Sequence, residues 1–138
     1  KNSKVLVVDD ILSNRLLLTT VLKGLKVDPC EAVDGSQAIE KWRSGRHQLI
    51  LMDKRMPKVD GYEAARQIKA EAEEQGVTAP TIFAVSADAL TDLTAVENAK
   101  DFIDGFIAKP FDIREVRKNI ESTLLDLSEQ EDPVALSA

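Results

Sequence analysis

Short apolar stretches alternate with longer amphipathic stretches along the chain. The short ones have the length and the β-branched composition of strands. They cover residues 4–8, 27–33, 48–52, 80–85 and 103–108. The longer ones carry apolar residues at helical spacing and cover residues 12–25, 36–43, 62–75, 88–100 and 112–127. Alternation of strand and helix through five units predicts an α/β fold with a parallel sheet and right-handed crossovers.

Residues that can do chemistry stand at the ends of the predicted strands. Asp9 and Asp10 follow the first strand, Asp53 follows the third, Ser86 the fourth and Lys109 the fifth. Ligands of open α/β sheets bind outside the carboxyl ends of the strands, so these side chains are predicted to share one pocket. Three acids and a base can bind a divalent cation and carry a phosphoryl group on one carboxylate, and Mg²⁺ suits such oxygen ligands.

Several of these residues have simpler interpretations when each is taken alone. An aspartate after a strand is more often a helix cap or turn former than a ligand, and Asp10 is a candidate for partly capping the helix that begins near residue 12. Gly61 is expected to permit a positive φ. His47 is interpreted as a solvated residue of a polar turn, and Trp42 as a packing residue on a helix face.

The composition limits the class of protein. The chain has 138 residues with 43% hydrophobic content, which predicts one domain, residues 1–127, followed by an acidic tail or linker, residues 128–138. A net charge of −6 without a basic stripe argues against direct contact with nucleic acid. The single cysteine, Cys30, excludes an internal disulfide and fits a cytoplasmic location. No apolar stretch approaches the ~20 residues of a membrane span, so no membrane insertion is expected.

Four motifs, taken together in their order and spacing, resemble the receiver domain of two-component response regulators and hybrid sensor kinases. They are VLVVDD, LILMDKRMPKVDGYEA, AVSADA and GFIAKPF. The resemblance implies a three-layer, doubly wound sheet of five parallel strands in the flavodoxin-like order 2-1-3-4-5. It also implies a phosphorylation-activated signalling switch, not an enzyme, which catalyses only its own phosphorylation and dephosphorylation. The pair Asn14 and Arg15 is more reminiscent of hybrid-kinase receivers than of chemotaxis-type ones.

The resemblance implies a role for each residue of the predicted pocket. Asp53 matches the phosphoacceptor of the family. Asp9, Asp10, Asp53 and the backbone carbonyl of Arg55 match the ligands of Mg²⁺, for which Mn²⁺ can substitute. Lys109 matches the lysine that approaches the phosphoryl oxygens.

The remaining matches concern the response to phosphorylation. Ser86, where threonine is commoner, and Phe106, where tyrosine is frequent, match the switch pair that would reshape the surface of the fourth helix, fifth strand and fifth helix. Pro110 would follow a cis peptide bond. Arg55 and Asp88 occupy the two positions that influence the lifetime of the phosphoryl group in the family. We expect this pair to hinder the attacking water across the pocket mouth.

The expected partner is a histidine kinase or a histidine phosphotransfer domain, with an output or kinase domain elsewhere in a longer chain. Two alternatives remain open. One is a pseudo-receiver, a protein-binding module that keeps the fold without the phosphorylation. The other is a Mg²⁺-dependent hydrolase with an aspartyl nucleophile, but such enzymes usually carry a second aspartate two residues after the first, where this chain has Arg55.

Overall fold

Five strands form one parallel sheet in the order β2-β1-β3-β4-β5. The computed structural model describes residues 4–53, 61–86, 101–108 and 113–131. The strands are β1 (Val5–Val8), β2 (Pro29–Ala32), β3 (Leu49–Asp53), β4 (Thr81–Ser86) and β5 (Gly105–Ala108). The chain runs from β1 outward to β2 and then crosses back to β3, so the topological switch point lies between β1 and β3. The predicted fold class and strand order are confirmed.

Four described helices connect and cover the strands. They are α1 (Leu12–Gly24), α2 (Gly35–Gly45), α3 (Gly61–Gln75) and a C-terminal helix (Ile113–Glu131). The start of α2 shows why the chain turns into a helix there: the Asp34 side chain accepts a 2.8 Å hydrogen bond from the amide of Gln37. The Gln37 side chain in turn accepts from the amide of Val33, which completes a reciprocal cap. The predicted helix 88–100 lies outside the described residues.

Alternation of side chains along the central strands builds a core on each face of the sheet. On β1, Val5 and Val7 pack in the cluster that includes buried residues of α1 and the C-terminal helix. Leu6 and Val8 point to the opposite cluster, which includes Trp42 and the buried face of α3. Because β1 and β3 are buried on both faces, the three-layer architecture follows directly from their continuous apolar sequences.

Several predicted boundaries differ from the structure. The second strand is shorter than 27–33, as expected for an edge strand that pairs only with β1 and begins at Pro29. The fifth strand begins at Gly105. The Asp104 amide donates a 2.8 Å hydrogen bond to the carbonyl of Ile82, but the amide of Ile82 donates to the Asp104 side chain, also at 2.8 Å, and not to a backbone carbonyl. The C-terminal helix continues four residues past the predicted end, since its next helix-breaking residue is Pro133. The division into domain 1–127 and tail 128–138 stays a prediction.

The interpretation of His47 as a solvated residue is wrong. Its side chain is buried, with 5% exposed, beside Gly45 at the end of α2. Burial, reinforced by the positive charges of Lys4 and Lys41, lowers its pKa. Trp42, by contrast, is a buried packing residue as predicted, and Cys30 is a free exposed thiol. Among the described residues, no helix has the length and apolar character that crossing a bilayer would need.

Candidate functional site

The register of the sheet places two aspartates side by side at the topological switch point. Val8 of β1 pairs with Met52 of β3, so Asp9 and Asp53 follow at the carboxyl ends of adjacent parallel strands. One carboxylate oxygen from each of Asp9, Asp10 and Asp53 lies within 4.8 Å of the others. The structure therefore brings together the three acids that the strand ends predicted.

The three carboxylates differ in their environment. Asp9 is completely buried and Asp53 is 3% exposed, whereas Asp10 is exposed at the mouth of the site. Like charges at this separation repel one another, and burial removes the water that would screen them. A hard divalent cation coordinated by carboxylate oxygens relieves both effects. The donor set thus fits Mg²⁺: three oxygens converge from one side, and the exposed side admits water or a phosphate oxygen.

Local hydrogen bonds fix Asp9 in this position. Its amide donates a 3.1 Å hydrogen bond to the carbonyl of Ala32 on β2, and its Oδ1 accepts a 2.9 Å hydrogen bond from the amide of Ile11. Ile11 is the N-cap residue of α1, and no side chain caps this helix. The expectation that Asp10 partly caps α1 is therefore wrong, because Asp9 makes the side-chain contact to the backbone at this turn.

The start of α3 packs directly against Asp53. A Cβ atom on Gly61 would lie 2.0 Å from the backbone carbonyl oxygen of Asp53 and 3.0 Å from Cγ of Met52. Gly61 is helical, and Gly76 is the glycine with positive φ among the described residues. The expectation of a positive φ at Gly61 is wrong; the position requires glycine because two backbone segments approach closely.

The two residues predicted to form the switch pair, Ser86 and Phe106, lie on the neighbouring strands β4 and β5. Val85 pairs with Asp53, so Ser86 ends β4 at the same edge of the sheet, where it pairs with Ala108. Phe106 of β5 is partly buried and packs against the core cluster of the α2 and α3 side.

Two other rings pack against the same cluster. Tyr62 and Phe102 make an edge-to-face contact with centroids 5.9 Å apart. The start of α3 is thereby linked to the segment that leads into β5.

Four predicted site residues lie outside the described residues: Arg55, Asp88, Lys109 and Pro110. Their roles stay predictions. A contact that the sequence did not reveal is made by Arg15, whose guanidinium donates a 2.7 Å hydrogen bond to the backbone carbonyl of Asp9. In the sequence, the pair Asn14 and Arg15 indicates only a similarity to hybrid-kinase receivers. A pattern of residue types does not show which backbone atom a long side chain reaches.

A doubly wound sheet with three carboxylates gathered at its switch point places the chain in the class of α/β domains that can bind a cation there. Comparison with known proteins narrows this class. A family model described as "Response regulator receiver domain" matches residues 5–121. The chain belongs to this family, whose members are phosphorylation-activated signalling domains and not classical enzymes.

Individual relatives agree with this assignment. The chain is 40% identical over 117 residues to the two-component response regulator ORR41 of Oryza sativa subsp. japonica, covering 80% of this chain and 85% of that protein. It spans half or less of the length of other curated relatives that it matches.

Two solved structures bear on the site. The receiver domain of the sensor histidine kinase PA1611 of Pseudomonas aeruginosa, with a magnesium ion coordinated in its active-site cleft, is 31% identical, with a TM-score of 0.73 and coverage of 88% of this chain and 97% of that one. The receiver domain of the response regulator Ssk1 of Saccharomyces cerevisiae, solved with the histidine phosphotransfer protein Ypd1, is 27% identical, with a TM-score of 0.78 and coverage of 86% of each chain.

Proposed function

We propose that this domain accepts a phosphoryl group on Asp53 from a phosphohistidine of a partner protein. A carboxylate oxygen of Asp53 forms a bond to phosphorus as the bond between phosphorus and the histidine nitrogen breaks. The histidine ring, which carries a proton on its other nitrogen, leaves as neutral imidazole. Water later hydrolyses the acyl phosphate to aspartate and phosphate. The observation that carries the proposal is the convergence of three carboxylates, two of them buried, at the switch point of the sheet.

Asp9, Asp10, Asp53 and the backbone carbonyl of Arg55 would hold Mg²⁺ or Mn²⁺ in this proposal. When bound, the cation supplies charge neutralisation for the phosphoryl oxygens. Asp9 would contribute a ligand whose orientation is set before binding, because its Oδ1 accepts a hydrogen bond from the amide of Ile11. Lys109 would add a second positive charge, as the family resemblance implies.

Phosphorylation would act on the switch pair at the neighbouring strand ends. In this proposal the acyl phosphate draws the hydroxyl of Ser86 toward Asp53, and Phe106 rotates into the space released. The partial burial of Phe106 supports a ring that can move between two packings. The reshaped surface would comprise the predicted helix 88–100, β5 and the C-terminal helix, a two-state element biased by a local change of charge.

An apolar surface beside the acidic site is the proposed docking site for the partner. Ile11, Leu12 and Leu16 are each about half exposed. Ile11 and Leu12 directly follow the aspartate pair, and Leu16 lies four residues after Leu12 on α1. Ile113 of the C-terminal helix, 52% exposed, lies across a groove of about 440 Å³ that Leu16 also lines. Exposed apolar patches of this kind mark protein contacts. The complex of the similar Ssk1 receiver with Ypd1 supports a histidine phosphotransfer protein as the occupant.

The phosphoacceptor is tested by intact-mass measurement after incubation with acetyl phosphate and Mg²⁺. We expect the parent chain to gain one phosphoryl group and Asp53→Asn to gain none. Asp28→Asn, an exposed aspartate beside β2, is the matched control and should label like the parent. A folded parent that takes up no phosphoryl group would favour the pseudo-receiver, and label retained in Asp53→Asn would place the acceptor elsewhere.

The docking surface is tested separately by comparing two phosphoryl donors, a partner protein that must dock and acetyl phosphate, which does not need to. Leu16→Glu should slow transfer from phosphorylated Ypd1 by at least about tenfold, while labelling by acetyl phosphate should stay unchanged. Leu125→Glu changes a similarly exposed leucine on the C-terminal helix and should affect neither reaction. Equal transfer rates for the two variants would exclude this surface.

Two further parts of the proposal concern the lifetime of the acyl phosphate and the location of the protein in the cell. If Arg55 and Asp88 shield the acyl phosphate, Arg55→Ala should shorten its half-life, and an unchanged half-life would refute the shielding. A cytoplasmic location, which the single free cysteine suggests, is tested by fractionation of cells that express the full-length protein.

A further inference from the structure

Arg15 connects the acidic site to two neighbouring elements. Its Nη1 donates a 2.7 Å hydrogen bond to the backbone carbonyl oxygen of Asp9, and its Nε donates a 3.1 Å hydrogen bond to Oε1 of Glu31 on β2. Only 13% of the Arg15 side chain is exposed, although it belongs to the first turns of a surface helix. One guanidinium therefore ties α1 to the ends of β1 and β2.

The bonded carbonyl belongs to the peptide unit that joins Asp9 to Asp10. The Asp9 amide and the Asp9 side chain have their own partners, the carbonyl of Ala32 and the amide of Ile11. Arg15 fixes the plane of the peptide between Asp9 and Asp10. The orientation of this plane sets the position of the Asp10 Cα atom, from which the exposed Asp10 side chain extends. No side-chain cap of α1 constrains this turn from the other side.

We propose that Arg15 is a positioning residue for the cation site. By fixing the peptide between Asp9 and Asp10, it holds both carboxylates in the arrangement in which they converge with Asp53. The inference rests on the proposed function for the identity of the ion, Mg²⁺. Groups that orient metal ligands from behind in this way typically change metal affinity by about 10–100-fold when they are removed.

The charge of Arg15 provides a competing explanation with the opposite sign. A positive charge near the site opposes a cation, so an effect of charge alone predicts tighter Mg²⁺ binding when Arg15 is removed. Glu31 pairs with the guanidinium at 3.1 Å, and its negative charge opposes the field of Arg15 at the site. Loss of the hydrogen bond to Asp9 should therefore dominate, and the affinity should fall.

Calorimetric titration of the metal-free protein with Mg²⁺ distinguishes the two explanations. We expect Arg15→Ala to bind Mg²⁺ about tenfold more weakly than the parent. Arg15→Lys keeps the charge without the planar fork and should recover only part of the affinity. Arg43→Ala is the matched control, because Arg43 pairs with Glu71 between α2 and α3 with no contact to the acidic site. It should stay within about twofold of the parent.

Hydrogen exchange of the Ile11 amide, measured by NMR in metal-free protein, gives a second readout. The amide donates to Asp9, so a loosened Asp9 should let it exchange about tenfold faster in Arg15→Ala and at the parental rate in Arg43→Ala. If Arg15→Ala does not fold, Arg15→Lys gives the same test with a smaller change.

The inference is overturned if a folded Arg15 variant binds Mg²⁺ as tightly as the parent or more tightly, or if its Ile11 amide exchanges at the parental rate. A different result separates it from the proposed function. If the parent neither binds Mg²⁺ nor takes up a phosphoryl group, while Ile11 exchanges faster in Arg15→Ala, the proposed function fails and the positioning of Asp9 by Arg15 is supported.

Discussion

Replacement of Gly61 by alanine should destabilise the fold and distort the acidic site together. The added Cβ would stand 2.0 Å from the carbonyl oxygen of Asp53, and ordinary contact begins near 3.4 Å. The start of α3 and the end of β3 must therefore separate by roughly 1.4 Å. The carbonyl oxygen belongs to the backbone, and the position of a Cβ atom is fixed by the backbone of its own residue, so no side-chain rotation can relieve the clash.

The expected loss in the free energy of unfolding is roughly 3 kcal/mol, at the upper end of the cost of overpacking. The gain from replacing a helical glycine, at most about 1 kcal/mol, offsets only part of this. Urea unfolding at neutral pH measures the change. Because Asp53 moves relative to Asp9, the Mg²⁺ affinity of any folded Gly61→Ala protein should also fall.

Gly24→Ala is the matched control for this experiment. Gly24 ends α1, and a Cβ there would meet nothing within 4 Å among the described residues. The same substitution should therefore leave stability unchanged or raise it by up to about 1 kcal/mol. If the free energy of unfolding of Gly61→Ala lies within about 0.5 kcal/mol of the parental value, α3 does not approach Asp53 as closely as the structure shows.

Three other predictions concern single residues. Burial lowers the pKa of His47, so between pH 7 and 5 the unfolded chain binds a proton more readily than the folded chain. The free energy of unfolding should therefore fall as the pH drops from 7 to 5. Urea titrations should show a flatter dependence on pH for His47→Gln. Asp10→Asn should stabilise the metal-free protein by about 1 kcal/mol or less, since it removes one of three repelling charges, and should reduce the rise in melting temperature that Mg²⁺ gives the parent. Asp34→Ala removes the N-cap of α2 and should cost about 1 kcal/mol in thermal or urea unfolding, with no change in Mg²⁺ affinity; an unaltered stability would contradict the capping role.

The sequence predicted the gathering of the acids because the fold leaves few alternatives. Strands that are apolar on both faces and alternate with helices form a parallel sheet covered on both sides. Parallel strands run in the same direction, so their carboxyl ends lie at one edge of the sheet. Asp9 directly follows β1 and Asp53 is the last residue of β3, so their proximity depends on the pairing of β1 with β3. Positions that are defined by their distance from a strand end are therefore accessible to sequence reasoning.

Contacts that depend on packing distances were not predictable in the same way. Gly61 suggested a turn conformation, but its role comes from the separation of α3 and Asp53, which no local pattern encodes. His47 lies among polar residues in the sequence, yet it is buried in the structure, where its ring packs against Gly45 at the end of α2.

The reach of Arg15 shows the same limit at the site itself. Its side chain extends from α1 to the backbone of Asp9 and to Glu31 on another strand, and these partners are separated from it by 6 and 16 positions in the chain. The carboxylates are thus specified by topology, whereas their orientation depends on a long side chain that crosses between elements. It follows from the proposed role of Arg15 that substitutions around α1 can change the cation affinity without altering any acidic residue. Two domains with the same three aspartates can then differ in how tightly they bind the cation.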